Sequence, residues 1–258
     1  MNNIMKRHLF IVINDGGMHN YLPNVSKDRN GYNRFFRSPE GGYWDDSEIT
    51  IHHNDFSMAI FAESIRFNKN AGRPYEYIVF VFCGHGFSDE NGQRWLETRP
   101  DGNADSYVSV AQIKQACDGI RMLFIHDACA SIDVVPLNEQ RKMFSKFTET
   151  NYESNCRELY NHLVSLTPSN LFVAGYASSI GESASENRYG GLYSQSLLRE
   201  ASVAIDLIKS ESQYSHAPFS YIHDKAYADV VELSGNEQHP DCLIPRNRLQ
   251  LPFVVVAK

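Results

Sequence analysis

Long hydrophobic runs are missing from this 258-residue chain. The longest, such as Tyr77 to Cys83 and Phe253 to Ala257, fall well short of the ~20 residues a membrane-crossing helix needs, so no membrane partner is expected. Leu9 to Ile13, which follows the basic pair Lys6-Arg7, is too brief for the apolar core of a signal peptide and reads as a first strand. Cysteine is sparse: Cys83, Cys117, Cys129, Cys156 and Cys242 are odd in number and lack CxxC spacing. That argues against a disulfide framework or a zinc cluster and makes a reducing, cytoplasmic compartment the simplest expectation. Positive charge is short as well: 24 Lys and Arg against 31 Asp and Glu leave a net charge of −7, with no basic run, so nucleic acid is not an expected partner. Repeats, low-complexity segments and a clear domain linker are absent. What is present is 42% hydrophobic and 12% aromatic residues in a length that suits one large domain. Folding at this size buries roughly three quarters of the unfolded surface, which excludes a disordered or fibrous chain.

Five nearly continuous apolar runs read as strands covered on both faces: Leu9 to Ile13, Tyr77 to Cys83, Met122 to Ile125, Leu171 to Ala174 and Phe253 to Ala257. Ile49 to His52 is a weaker sixth. Between them, Met58, Phe61, Ala62 and Ile65 follow helical spacing behind a cap expected at Asn54 or Asp55. Leu197, Leu198, Ala201, Ala204, Ile205 and Ile208 form a second stripe, and Ile222, Ala226, Val230 and Leu233 a third. Alternating strands and helices predict an α/β fold, a mainly parallel six-stranded sheet with helices on both faces. Two polar stretches interrupt it. Gly86 to Ser106 carries the turn signals Asn91-Gly92 and Asp101-Gly102 and predicts a small β excursion. Ile132 to Ser169 is a long, charged, partly helical connection.

Ligands of an open parallel sheet bind beyond the carboxyl ends of its strands. One such end runs into Cys83-Gly84-His85-Gly86 and another into His126-Asp127-Ala128-Cys129-Ala130-Ser131. If the two strands are neighbours, His85 can act as base on the Cys129 thiol, and the Gly86 and Cys129 amides can meet a developing oxyanion. Taken singly, a strand-end cysteine is usually a small buried hydrophobe and a histidine among glycines a turn residue, so spacing alone leaves both readings open.

These two blocks resemble the catalytic signature of caspase-like cysteine peptidases, above all metacaspases and their bacterial relatives, with SGHG followed by D-x-C-x-S. Gly41-Gly42, the segment from Gly175 to Glu186, Gly190-Gly191-Leu192-Tyr193-Ser194 and Gln238-His239-Pro240 resemble later family elements in order and approximate spacing, so the resemblance covers nearly the whole chain. It implies a caspase-like fold and a His85/Cys129 dyad with Gly86 and Cys129 as oxyanion donors. It also implies a large-subunit-like part over 1–131, a connection over 132–169 and a small-subunit-like part over 170–258, with no prodomain. Ala177 and Ser178, after the fourth main strand, would hold the substrate backbone. Asp127 carries the acid that metacaspase-like and paracaspase-like proteins use to select a basic residue before the scissile bond (P1), arginine ahead of lysine. A second pocket acid is expected near Ile180-Gly181, where Glu182 is the nearest carboxylate. Asp127 as a mere helix cap is the plainer alternative. The family's His-Ser-Gly after the cysteine is replaced by Ala130-Ser131-Ile132. Control would come from the catalytic domain itself, an activator protein or self-association; if the connection is cut, Arg141, Lys142, Lys146 and Arg157 are the basic sites for it. A role in bacterial signalling or defence is the setting that the resemblance suggests.

Three other readings compete. Ala177-Ser178-Ser179-Ile180-Gly181 is a relaxed G-x-S-x-G, which would make Ser179 the nucleophile of a serine hydrolase with His216, His223 or His239 as partner. A dinucleotide fingerprint fails because its third glycine falls at Asp89. A catalytically silent caspase-like scaffold would not need both His85 and Cys129. No cofactor is required: His52-His53 point to opposite sides of a strand, and the acids a calcium ion would seek, Asp45-Asp46 or Asp101 and Asp105, read as solvated turn carboxylates.

Overall fold

Strand residues alternate between two apolar surroundings, and that alternation builds two cores, one on each side of a sheet. The computed structural model describes residues 5–18, 20–129, 150–211, 213–245 and 250–258. In chain order its first half comprises β1 (Arg7–Ile13), α1 (Val25–Arg37), β2 (Ile49–His53), α2 (Met58–Asn70), β3 (Tyr77–Ser88), β4 (Arg94–Glu97), β5 (Tyr107–Ser109), α3 (Val110–Ala116) and β6 (Arg121–Cys129). Then follow α4 (Thr150–Ser165), β7 (Phe172–Tyr176), β8 (Glu186–Asn187), β9 (Gly190–Gly191), α5 (Leu192–Ser210), β10 (His216–Pro218), α6 (Phe219–Leu233), β11 (Asp241–Leu243) and β12 (Pro252–Val255). Among the described residues no helix is long and apolar enough to cross a membrane.

The main sheet has the order β11-β7-β6-β3-β1-β2 and is parallel except for β11, which runs antiparallel on β7. Leu9, Ile11, Val79, Val81, Leu123 and Ile125 face a core closed by α1, α4, α5 and α6. Phe10, Val12, Phe80, Phe82 and Phe124 face a second core under α2 and α3. Each strand of the middle is therefore apolar on both sides, which is why it reads as a continuous run. The α/β architecture is the one expected.

Several details depart from expectation. The cap of α2 is Ser57, whose hydroxyl accepts from the Ile60 amide. Asn54 and Asp55 are otherwise engaged: Asn54 exchanges two hydrogen bonds with Asp15, and Asp55 accepts from the His53 amide. The last apolar run, as β12, does not join the main sheet; it pairs antiparallel with β10 and packs Phe253 against Phe35, Phe36 and Phe219. The edge position goes to β11, a short and half-exposed strand whose composition carries no apolar signal. The excursion after His85 is a continuation of β3 that folds back on β4, with β5 beyond it. In the connection, 150–165 is helical, whereas Arg141, Lys142 and Lys146 lie outside the described residues. Arg157, the remaining basic candidate for a cut, is held in α4 by Glu48 at 2.7 Å and by the Tyr43 carbonyl at 2.7 Å.

Candidate active site

β3 and β6 are adjacent and parallel, and their register runs Cys83 with Asp127, Gly84 with Ala128 and His85 with Cys129. Neighbouring strands lie about 4.8 Å apart, so the backbone of the candidate nucleophile and that of its candidate base are direct neighbours at the carboxyl end of the sheet. The His85 ring places Nε2 2.5 Å from the Asn20 carbonyl oxygen. A carbonyl only accepts, so Nε2 carries the proton and Nδ1 of the neutral ring keeps its lone pair for a thiol. The loop that supplies this carbonyl is itself pinned. Fully buried Asn14 donates to the Glu97 carbonyl at 2.7 Å and accepts from the Gly16 amide at 3.0 Å, and the Leu22 amide closes the loop on Asp15 at 2.7 Å. Gly86 must be glycine: a Cβ there would come within 2.6 Å of the Trp95 carbonyl and 2.8 Å of Ala128 Cβ.

Asp127 belongs to the same side of β6 as Leu123 and Ile125, and it is buried. Its Oδ2 accepts the Ser194 amide at 2.9 Å, at the start of α5, while its Oδ1 meets no hydrogen-bond partner among the described residues. Two further acids converge here. Asp28, on the inward stripe of α1 with Tyr32 and Phe35, accepts the Gly191 amide at 3.0 Å. Glu186, in β8, is buried as well. Gly190 and Gly191 make the approach feasible: a Cβ on the first would fall 2.0 Å from the Asp28 carboxylate and on the second 2.3 Å from that of Asp127. Burial raises the pKa of all three acids; at Asp28 burial, with repulsion from Asp127 added to it, puts the carboxyl well above the ordinary carboxylate range. Among the described residues no Lys or Arg forms an ion pair with any of them. Lys27, whose charge reaches Asp28 and Glu186, is hydrogen-bonded to the Arg188 carbonyl and to Asn24.

The other residues named from sequence lie elsewhere. Glu182 is not in the acidic cluster; its carboxylate takes the ring and the amide of His239, both at 2.9 Å, and the same contacts lower its pKa against a raising effect of burial. Ala177 has both backbone groups in use, its amide on the His126 carbonyl at 2.9 Å and its carbonyl under Gln238 Nε2 at 2.8 Å. The Ser178 carbonyl receives Arg94 at 2.9 Å. Ser179 donates to the His239 carbonyl at 3.1 Å, so its hydroxyl is directed at a backbone oxygen and not at an imidazole. His216 is exposed on β10, and His223 is buried against the Tyr193 hydroxyl at 2.7 Å. His52 and His53 pair separately with Asp55 and Asp15. Asp45 and Asp46 pair with Arg157 and Arg37, and Asp101 and Asp105 with Arg99. Asp28 and Glu186 are the acids that sequence reading passes over. The signal for Asp28 is a charged residue on an otherwise apolar helical stripe with Tyr32, Phe35 and Phe36, which is costly unless used.

By sequence, no protein-family model matches the chain and no curated protein matches it. In structure it is similar to caspase-1 from Spodoptera frugiperda, at 12% identity and a TM-score of 0.56, over 95% of this chain and 88% of that one. The protein has a caspase-like fold.

Proposed function

We propose that the protein is a cysteine endopeptidase that cleaves protein or peptide chains after a basic residue, arginine ahead of lysine. One observation carries the reading: the buried carboxylates of Asp28 and Asp127, in no ion pair among the described residues, lie on the side of β6 whose end aligns Cys129 with His85. Buried carboxylates left unpaired are unstable, and a guanidinium entering between them would donate two directed, charge-assisted hydrogen bonds to their oxygens. Lysine offers a point charge only, and a P1 aspartate adds a further like charge to a dry site.

The chemistry follows from the two strand ends. Nδ1 of His85 takes the Cys129 thiol proton, and the thiolate sulfur attacks the carbonyl carbon of the basic residue. The resulting oxyanion is met by the Gly86 and Cys129 amides. Collapse breaks the C–N bond, His85 returns the proton to the departing amine, and a thioester remains on Cys129. Water, deprotonated by His85, then hydrolyses the thioester and frees the enzyme. Asp127, with Asp28 and Glu186 in place of the Glu182 expected from sequence, selects the P1 side chain.

The test uses two probes, an acyloxymethyl ketone on a peptide with P1 arginine and a fluorophosphonate. Labelling by the ketone, lost in Cys129→Ala, is the expected outcome. Labelling by the fluorophosphonate alone would move the nucleophile to a serine such as Ser179, and labelling by neither would leave a caspase-like scaffold.

A further inference from the structure

Past His85, β3 leaves the sheet and pairs Gly86 with Leu96, Phe87 with Trp95 and Ser88 with Arg94, while β4 pairs Glu97 with Tyr107 and Leu96 with Val108. Leu96 and Val108 are buried in the second core. Residues of a pleated ribbon alternate sides, so Phe87, Trp95, Glu97 and Tyr107 occupy the opposite side, the one His85 shares. Phe87 is 47% exposed. It lies parallel to Trp95, with centroids 6.2 Å apart and 9° between planes, and edge-on to Tyr107 at 5.9 Å. Trp95 is fixed from beneath by its indole N–H on Asp89 at 3.0 Å. Asp89 also accepts the Asn91 and Gln93 amides that shape the turn. Glu97 is within electrostatic reach of His85, whose imidazolium form opposes the rise that burial gives the Glu97 carboxyl.

Cross-strand aromatic pairs steady many hairpins, and one exposed hydrophobe needs no explanation. Three rigid rings sharing a side with the candidate general acid, two residues beyond it, do. If His85 returns its proton to the departing amine, it must touch the nitrogen of the residue that follows the scissile bond. The P1 side chain is drawn the other way, towards Asp127. The surface next to His85 on the hairpin is then where the following residue's side chain comes to rest.

We infer that Phe87, Trp95 and Tyr107 form the subsite for the residue immediately after the scissile bond, and that it takes a large apolar or aromatic side chain. The inference rests on the peptidase reading above. Aromatic stacking and the area it covers favour such a residue over glycine by roughly three- to tenfold in kcat/KM.

The experiment compares two quenched peptides with arginine at P1 that differ only in the next residue, phenylalanine or glycine. The wild type is expected to prefer phenylalanine, with the ratio near one in Phe87→Ser and intermediate in Phe87→Leu, which keeps an apolar cover on the hairpin. A wild-type ratio of one or less overturns the subsite, whatever the variants do, and so does a ratio that survives in Phe87→Ser. The P1-arginine ketone, whose acyloxy group is expelled so that the adduct carries only a methylene beyond the P1 carbonyl, is run beside it on the wild type as a yes-or-no readout of the thiol. Labelling with a flat ratio removes the subsite alone; no labelling and no turnover remove the peptidase reading and this inference together.

Discussion

Two clusters of buried charge stand at opposite ends of the central strands. At the amino end of β1, Arg7 is fully buried, yet every direction of its guanidinium is met: Glu48 at 3.2 Å, Asn161 at 2.9 Å and the Gly42 and Tyr43 carbonyls at 2.8 and 2.9 Å, with the Trp44 ring 4.2 Å away. Arg157 of α4 completes the pair by a second bridge to Glu48 at 2.7 Å. At the carboxyl end, Asp28, Asp127 and Glu186 are gathered with no ion pair among the described residues, only the Gly191 and Ser194 amides, the Asn24 side chain and the more distant charge of Lys27. A buried charge is tolerated where partners are built in, and its presence without them marks a place where the partner arrives from outside. The first cluster ties α4 and the turn before β2 to β1; the second is a stored cost that a bound cation would offset.

That contrast can be broken at several points, the first of which carries the largest effect. Cys129→Ala and His85→Ala should each abolish cleavage of a P1-arginine peptide while leaving Tm nearly unchanged, because strand-end residues serve chemistry more than packing. The double variant should be hardly slower than either single one, as members of one catalytic unit are non-additive; near-wild-type kcat in one single variant removes that residue from the mechanism.

Glu48→Ala should lower stability by about 3–5 kcal/mol, a Tm drop on the order of 10 °C, by leaving Arg7 buried and unpaired. A drop below 2 °C in calorimetry would contradict the view that this cluster holds the fold. Asp28→Asn should act in the reverse sense. Removing one of two repelling buried acids raises stability by roughly 1–2 kcal/mol at pH 7 while costing on the order of tenfold or more in kcat/KM for P1 arginine. Equal activity in the variant would take Asp28 out of the pocket.

The pH dependence separates the two clusters by sign. Glu48 has a lowered folded pKa because Arg7 and Arg157 outweigh the raising effect of burial, so its contribution is present above its ordinary value of 4.5 and is lost as pH falls through the folded pKa. Asp28 and Asp127 have raised folded pKa values, so protons are bound more tightly by the folded chain and stability falls as pH rises from 3.8 towards those values. The Tm advantage of Asp28→Asn over the wild type should therefore widen between pH 4 and pH 7, and saturating P1-arginine ligand should narrow it. An advantage independent of pH would show that charge is not its cause. The smallest effect expected is the preference for arginine over lysine, a few-fold in kcat/KM, which Asp127→Asn should reduce most.

Much of the fold was legible because its signals are local. β1, β3, β6 and β7 are apolar runs on both faces, and α2, α5 and α6 have clear stripes. α1 was less legible, since its polar first half, Ser26 to Gly31, hides the stripe that Asp28 shares with Tyr32, Phe35 and Phe36. α3 is one short turn or two set by the capping pair Ser109 and Gln112, at 2.8 and 3.2 Å. β12 shows the limit of composition: Phe253 to Val255 suit any buried strand, and it is the aromatic contact with Phe35, Phe36 and Phe219 that takes them out of the main sheet.

The amino-acid sequence by itself determined that β1, β3, β6 and β7 are strands and α2, α5 and α6 helices, that the middle strands are covered on both faces, and that His85, Asp127 and Cys129 stand at strand ends. These follow from periodicity and apolar content within a few residues of each position. Only the tertiary structure decided that β3 and β6 are neighbours in the register that aligns His85 with Cys129, that Asp28 and Glu186 join Asp127 while Glu182 turns to His239, and that three aromatic rings share the His85 side of the hairpin. The reason is distance along the chain: partners brought together by sheet order and by the packing of α1 and α5 leave no local pattern, because what selects them is the burial they share once the chain has closed.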